Sequence, residues 1–208
     1  MKAKLIQEYI QYTLEHNKTP QSVYLFAKSV GISEQEFYNH FSGLELLEGK
    51  IYQTWFEDAM NKCTTSAPWD DYTSREKILA VFYTFIEGLK ANRSFVKFLK
   101  DRDFKSLPKW PAYLNGLHAS FLEQIKPILT EGITTQEIAE RKYLDGKYAD
   151  GLWINLLFVL KFWIDDTSPA FEKTDAAIEK SVNLALDLMG KSALDAALDF
   201  GKFLFQNK

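Results

Sequence analysis

The sequence predicts an all-α protein of about nine to ten helices, with a small N-terminal three-helix domain joined to a larger helical bundle. Three observations carry this reading. Apolar residues recur at helical spacing along almost the whole chain. Strand signals are nearly absent, because Asp145-Gly146 and Asp150-Gly151 stand in helical context and not between alternating apolar residues. Two Ser/Thr-x-x-Glu boxes, Ser42 with Glu45 and Thr73 with Glu76, precede apolar stripes and read as helix starts. A chain of 208 residues, 46% hydrophobic and 15% aromatic, is long enough to bury a sizeable core.

The elements follow in order. Leu5, Ile6, Tyr9, Ile10, Thr13 and Leu14 make the first helical stripe, and Asn17 suits a left-handed turn at its end. Thr19-Pro20 restarts the chain, and a second helix runs to about Val30 with Val23, Phe26, Ala27 and Val30 inward. Gly31 breaks it. Ser33 caps a short third helix anchored by Phe37, Tyr38 and Phe41. The Ser42 box opens a longer helix through Leu46, Leu47, Ile51, Trp55 and Phe56. After a polar loop, Thr64 to Asp71, the Thr73 box opens a helix through Ile78, Phe82, Phe85 and Leu89, and Ser94 begins the next. Two prolines make Lys105 to Pro111 a linker turn. A helix from Tyr113 to Leu129 is expected to kink or end at Pro127, with a short helix from Thr135. Two apolar helices, about 147–165 and 170–189, flank Asp165-Asp166-Thr167-Ser168-Pro169, which reads as a solvated turn. An amphipathic helix from about Ser192 to Phe205 ends the chain.

Composition narrows the chemistry. A net charge of −3 gives no global attraction to nucleic acid or anionic membrane, so any such contact must be local. The single cysteine, Cys63, excludes an internal disulfide, and His16, His40 and His118 share no metal-ligand spacing. No G-x-S-x-G elbow, P-loop, dinucleotide fingerprint or H-E-x-x-H occurs, so neither catalysis nor a cofactor is expected. The N-terminus lacks a signal-peptide pattern, and the apolar run from Gly151 to Ile164 is too short to cross a bilayer. A cytoplasmic protein that does not enter a membrane is the expectation.

The stretch VGISEQEFYNHFSG, residues 30–43, has the spacing of the turn and second helix of a helix-turn-helix. Gly31 permits the positive φ of a tight turn, and Ser33 caps the following helix so that its first residues face a major groove. There Gln35 suits adenine and Glu36 suits the cytosine amino group, while Tyr38 and His40 can donate to phosphate. Ser22 to Leu47 resembles the N-terminal domain of the TetR family of bacterial repressors. Ser22-Val23 and Phe26-Ala27, then Gly31-Ile32-Ser33, then Phe37-Tyr38, His40 and Phe41, then Glu45 and Leu47 carry the likeness. The resemblance implies a homodimeric regulator, a repressor, that binds a palindromic operator in double-stranded DNA and answers to a small-molecule effector. The domain boundary falls at residues 1–48 and 49–208. Ser22, Tyr24, Lys28, Ser33, Gln35, Glu36, Tyr38, Asn39 and His40 are the expected DNA-facing residues.

Two departures favour a second reading, a lipid- or small-molecule-binding protein on the same fold that no longer reads DNA. Residues 1–50 hold five Lys and no Arg against six Glu, a net charge of −1, and Leu44 stands where the family pattern has Lys. In the larger domain, Trp153 to Ile164 is apolar all round, which predicts burial on several sides and a partner subunit. Trp163, Ile178, Val182, Ala185 and Met189 are the expected dimer contacts, with Leu184, Leu186 and Leu188 forming a second apolar face. Tyr83, Tyr113, His118, Trp153 and Asn155, polar-tipped on apolar helices, are the expected lining of an effector pocket; packing within the core is the alternative.

Overall fold

In the computed structural model, residues 1–103, 111–141, 145–190 and 203 are described. Among them are nine α-helices, four short 3-10 turns and no strand. The helices are α1 (Lys2–His16), α2 (Val23–Ser29), α3 (Glu34–Tyr38), α4 (Leu44–Thr64), α5 (Ser74–Leu89), α6 (Arg93–Asp103), α7 (Asn115–Thr134), α8 (Asp145–Asp165) and α9 (Glu172–Met189). The linker expected at Lys105 to Pro111 lies outside the described residues apart from Pro111, and the helix expected from Ser192 to Phe205 apart from Phe203. The chain packs as two compact units: Met1–Ala59 with Glu87–Ser120, and Met60–Ile86 with Phe121–Lys208.

The first unit is built on aromatic rings. Tyr9 of α1 meets Phe26 of α2 edge-to-face, with centroids 5.6 Å apart, and Phe26 meets Phe37 of α3 in the same way at 6.0 Å. Tyr9 also contacts Phe95 of α6 at 6.4 Å. Edge-to-face contacts of this kind add about 0.5–1.5 kcal/mol each beyond the area they bury. Asn17 closes α1 with the expected left-handed backbone, φ 49°. Pro20 precedes α2 without starting it: Ser22 is the cap, its Oγ accepting from the Leu25 N–H at 3.2 Å. Likewise α4 starts at Leu44, where the Gly43 carbonyl takes the Leu47 N–H, so the Ser42 box sits one residue off the cap.

The second unit is fastened by polar side chains at its helix ends. The Thr73 box forms in full: the Glu76 N–H donates to Thr73 Oγ1 at 3.2 Å, and the Thr73 N–H donates to Glu76 Oε2 at 2.8 Å. Arg141 closes α9, donating to the carbonyls of Leu188 at 3.0 Å and Gly190 at 2.9 Å. Helix α7 runs on through Pro127 to Thr134. The proline is tolerated because Pro127 and Glu123, whose carbonyl loses its donor, are both exposed. Thr135 begins a turn, not a helix. Gln136 takes a left-handed backbone, φ 64°, and the Ile138 N–H reaches back to the Gly132 carbonyl at 2.9 Å.

The turn after α8 is only half solvated. Asp165 is exposed but Asp166 is buried, because its carboxylate ties the turn to α9. Oδ1 accepts from the Ser168 N–H at 2.8 Å and its hydroxyl at 2.6 Å. Oδ2 accepts from the Thr174 N–H at 2.9 Å and its hydroxyl at 2.6 Å. Burial pushes the carboxyl pKa up, but these four bonds outweigh it and hold Asp166 below the usual carboxylate range. A depressed folded pKa stabilises fully above the unfolded value and is lost as pH falls through the folded one. Asp166→Asn is therefore expected to lower the urea midpoint at pH 7. The gap from wild type is expected to narrow progressively below about pH 4, as measured by urea unfolding from neutral to acid pH.

Candidate nucleic-acid interface

The α2–turn–α3 segment follows from three local features. After the last turn of α2, the Ile32 N–H returns to the Ala27 carbonyl at 3.0 Å. That reversal places Gly31 at φ 75°, a conformation side chains with a Cβ adopt only with strain. Ser33 then caps α3, its Oγ accepting from the Glu36 N–H at 3.1 Å. Finally Phe37, fully buried, holds a helix of only five residues against Phe26.

With Phe26, Ala27 and Phe37 turned inward, the opposite faces of both helices look outward. Ser22, Tyr24, Lys28, Ser33, Gln35, Tyr38 and Asn39 are exposed, and Glu36 and His40 are half-buried. The surface offers hydroxyl and amide groups suited to base edges and phosphate oxygens. Its charge is acidic: between Ser22 and Ser42, Lys28 is the only basic side chain apart from His40, against Glu34 and Glu36. Both acids lie in the first turn of α3, where a negative charge complements the helix dipole. Leu25, outside the expected DNA-facing set, is also exposed between Tyr24 and Phe26. It lies out of phase with the buried pair, which is the signal that could have found it.

A family model for the tetracyclin repressor-like C-terminal domain matches residues 77–204. The chain belongs to the TetR family. No curated protein matches the sequence. The TetR fold extends over nearly the whole chain in solved structures. A putative TetR family transcription regulator from Shewanella sp. PV-4 is 16% identical, with a TM-score of 0.60, covering 92% of this chain and 98% of its own. PfmR, a TetR family transcriptional regulator from Thermus thermophilus, is 16% identical, with a TM-score of 0.51, covering 90% and 98%. A protein of unknown function from Rhodococcus sp. RHA1 is 13% identical, with a TM-score of 0.58, covering 91% and 95%.

In the larger part of this TetR chain, most of the expected dimer contacts are turned inward. Trp163, Ile178, Val182 and Met189 are buried within the protomer, and Ala185 is half-buried. The 4-3-4 stripe marks the face by which α9 packs on α8. The face left exposed is the other one: Ile154, at 66% exposure, with Phe158 and Phe162 on α8, and Leu184 and Leu188, at 61% and 62%, on α9.

The five residues expected to line an effector pocket are divided between the units: Tyr113 and His118 in the first, Tyr83, Trp153 and Asn155 in the second. Several are engaged by the protein itself. The Tyr83 hydroxyl donates to the Asp175 carbonyl at 3.1 Å, Asn155 Oδ1 accepts from the Ser181 hydroxyl at 2.8 Å, Tyr113 stacks on Tyr52 and Trp153 packs against Phe121. Among the described residues no helix is long and apolar enough to cross a membrane, and no His/Cys/Asp/Glu group is placed to hold a metal.

Gly31 isolates the backbone requirement of the TetR turn, because a Cβ there meets nothing within 4 Å. Gly31→Ala should therefore cost only its left-handed backbone, about 1–2 kcal/mol, read as a lowered midpoint in chemical unfolding.

Proposed function

We propose that this TetR-family protein is a DNA-binding transcriptional repressor that works as a homodimer and is controlled by a small apolar or aromatic effector. The observation that carries the reading is the capped α2–Gly31–α3 unit, which turns Ser33, Gln35, Tyr38 and Asn39 outward together. Ile154, Phe158, Phe162, Leu184 and Leu188 support the dimer, since an apolar face of this kind on a compact protein marks an association surface. A twofold dimer places two reading heads on one palindrome, and two weak heads joined in this way gain affinity through effective concentration. An effector releases the operator if it binds the DNA-incompetent form of the dimer more tightly than the competent one.

The acidic head supports the second reading, a TetR-fold binder of lipid or other small molecules. Selection of bound duplexes from a random pool at low and moderate salt separates the two. The regulator reading predicts an enriched palindrome; no enrichment at low salt favours the binder.

Leu44 is the first residue of α4, and Lys there restores one phosphate contact per subunit. Leu44→Lys is expected to raise affinity about equally for all duplexes and to steepen the salt slope by about 1 per added contact, measured by gel-shift titration at several salt concentrations. Glu36→Ala separates two roles: relaxed preference at one position per half-site if Glu36 reads cytosine, uniformly tighter binding if it only repels.

Phe158→Glu with Leu184→Glu leaves the protomer core intact and is expected to convert a dimer to a folded monomer in sedimentation at micromolar concentration. Val182→Glu buries a charge in that core and is expected to unfold the protein instead. A monomeric wild type overturns the dimer.

A further inference from the structure

We infer that the first unit carries a ligand site of its own, a cleft behind the reading helix that takes a small carboxylate with an aromatic or alkyl body. The cleft measures about 800 Å³, within the range of small-molecule sites. Its walls come from the start of α1, the chain just after α3, the first turns of α4 and the chain leading into α7.

The floor is apolar. Phe41 and Tyr113 are buried there, and Tyr113 is held by the Tyr52 ring, stacked at 5.4 Å with planes 21° apart. Leu46 lines the cleft with 60% of its surface open to solvent. The inner edge is rigid because two backbones touch. A Cβ on Gly116 would lie 2.9 Å from the Gly49 carbonyl oxygen and 3.1 Å from Gln53 Oε1, so α4 and α7 approach closely there. The site is thus preformed.

Lys2 and Lys50 supply the positive charge of the cleft. Lys2 makes no ion pair among the described residues, and the Lys50 pairing with Glu57, at 3.4 Å and partly exposed, is weak enough to exchange. His40 adds a ring nitrogen. Two acids also line the cleft. The Glu48 carboxylate is buried and accepts the Tyr9 hydroxyl, whereas Glu45, in the first turn of α4, is exposed at the rim. Lysine ammonium groups beside an apolar floor match a carboxylate on an apolar body.

Ligand binding does not require DNA, but its consequence rests on the proposed function. His40 belongs both to the cleft and to the DNA-facing set, so an anion seated there opposes phosphate contact.

The test is calorimetric titration of the full chain with sodium 1-naphthaleneacetate and, separately, 1-naphthylmethylammonium chloride, followed by amide-exchange mass spectrometry. The expected result is binding of the anion in preference to the ammonium, with protection over residues 40–53 and 111–118. Lys2→Glu with Lys50→Glu should weaken binding about tenfold or more, the loss of about 1.4 kcal/mol. Ala112→Trp, at an exposed position, should obstruct the cleft without disturbing the core. The site is overturned by absence of anion binding at millimolar concentration, by equal binding of the ammonium, by protection confined to residues 145–190, or by unchanged affinity in both variants. Binding at the cleft by a protein that selects no DNA leaves this site standing and removes the regulator reading. Operator selection without cleft binding does the reverse.

Discussion

Phe26 is the contact on which the head depends. Its ring receives Tyr9 and Tyr12 from α1 and Phe37 from α3, all near perpendicular, at 5.6, 6.3 and 6.0 Å. A five-residue helix cannot sustain itself, since nucleation costs more than so few hydrogen bonds return. Helix α3 exists because Phe37 is clamped against Phe26 and because Ser33 satisfies one of its free N–H groups, that of Glu36. The outward aim of Gln35, Tyr38 and Asn39 is a by-product of that clamp. Truncating either ring costs about 3–5 kcal/mol, a large share of the stability of a small unit.

Nothing in this scaffold requires a positive charge. Aromatic packing, two serine caps and one left-handed glycine build the helix-turn-helix, and all of them are neutral. Affinity for a duplex, in contrast, draws heavily on phosphate neutralisation. The fold can therefore persist while the electrostatics of its surface move from basic to acidic, as Glu34, Glu36 and Leu44 show. Geometry and charge are set by separate residues here: Phe26, Gly31, Ser33 and Phe37 shape the head, and Glu34 and Glu36 make its surface acidic.

Helices α8 and α9 show a different division of labour. One face of each packs into the core, where Trp153, Trp163, Ile178 and Val182 are sealed. Polar side chains fasten the ends of α9: the Asp166 carboxylate at its start and the Arg141 guanidinium at its finish. Along α9, Arg75 reaches Asn183 and Asp187, both at 2.7 Å. With its position set in this way, α9 presents Leu184 and Leu188 to solvent at no cost to the protomer's own packing.

The sequence by itself determined whatever depends on neighbours within a few residues. Asn17 and Gly31 announce left-handed turns because their φ preferences are intrinsic. Ser33 and Thr73 announce helix starts because a cap is a three-residue hydrogen bond. The all-helical fold and the helix-turn-helix were legible for that reason. Which side of a two-faced helix is buried was not legible. The 4-3-4 stripe on α9 and the Leu184–Leu188 stripe are equally apolar, and only packing on α8 tells core from surface. The same holds for Asp166, whose partner Thr174 lies eight residues away, for Tyr83 and Asn155, whose hydrogen bonds close on other helices, and for the cleft beside Leu46, assembled from four separate stretches of chain. Contacts of that range become definite only when the chain is folded, because a local pattern specifies what a residue can do and tertiary packing decides what it meets.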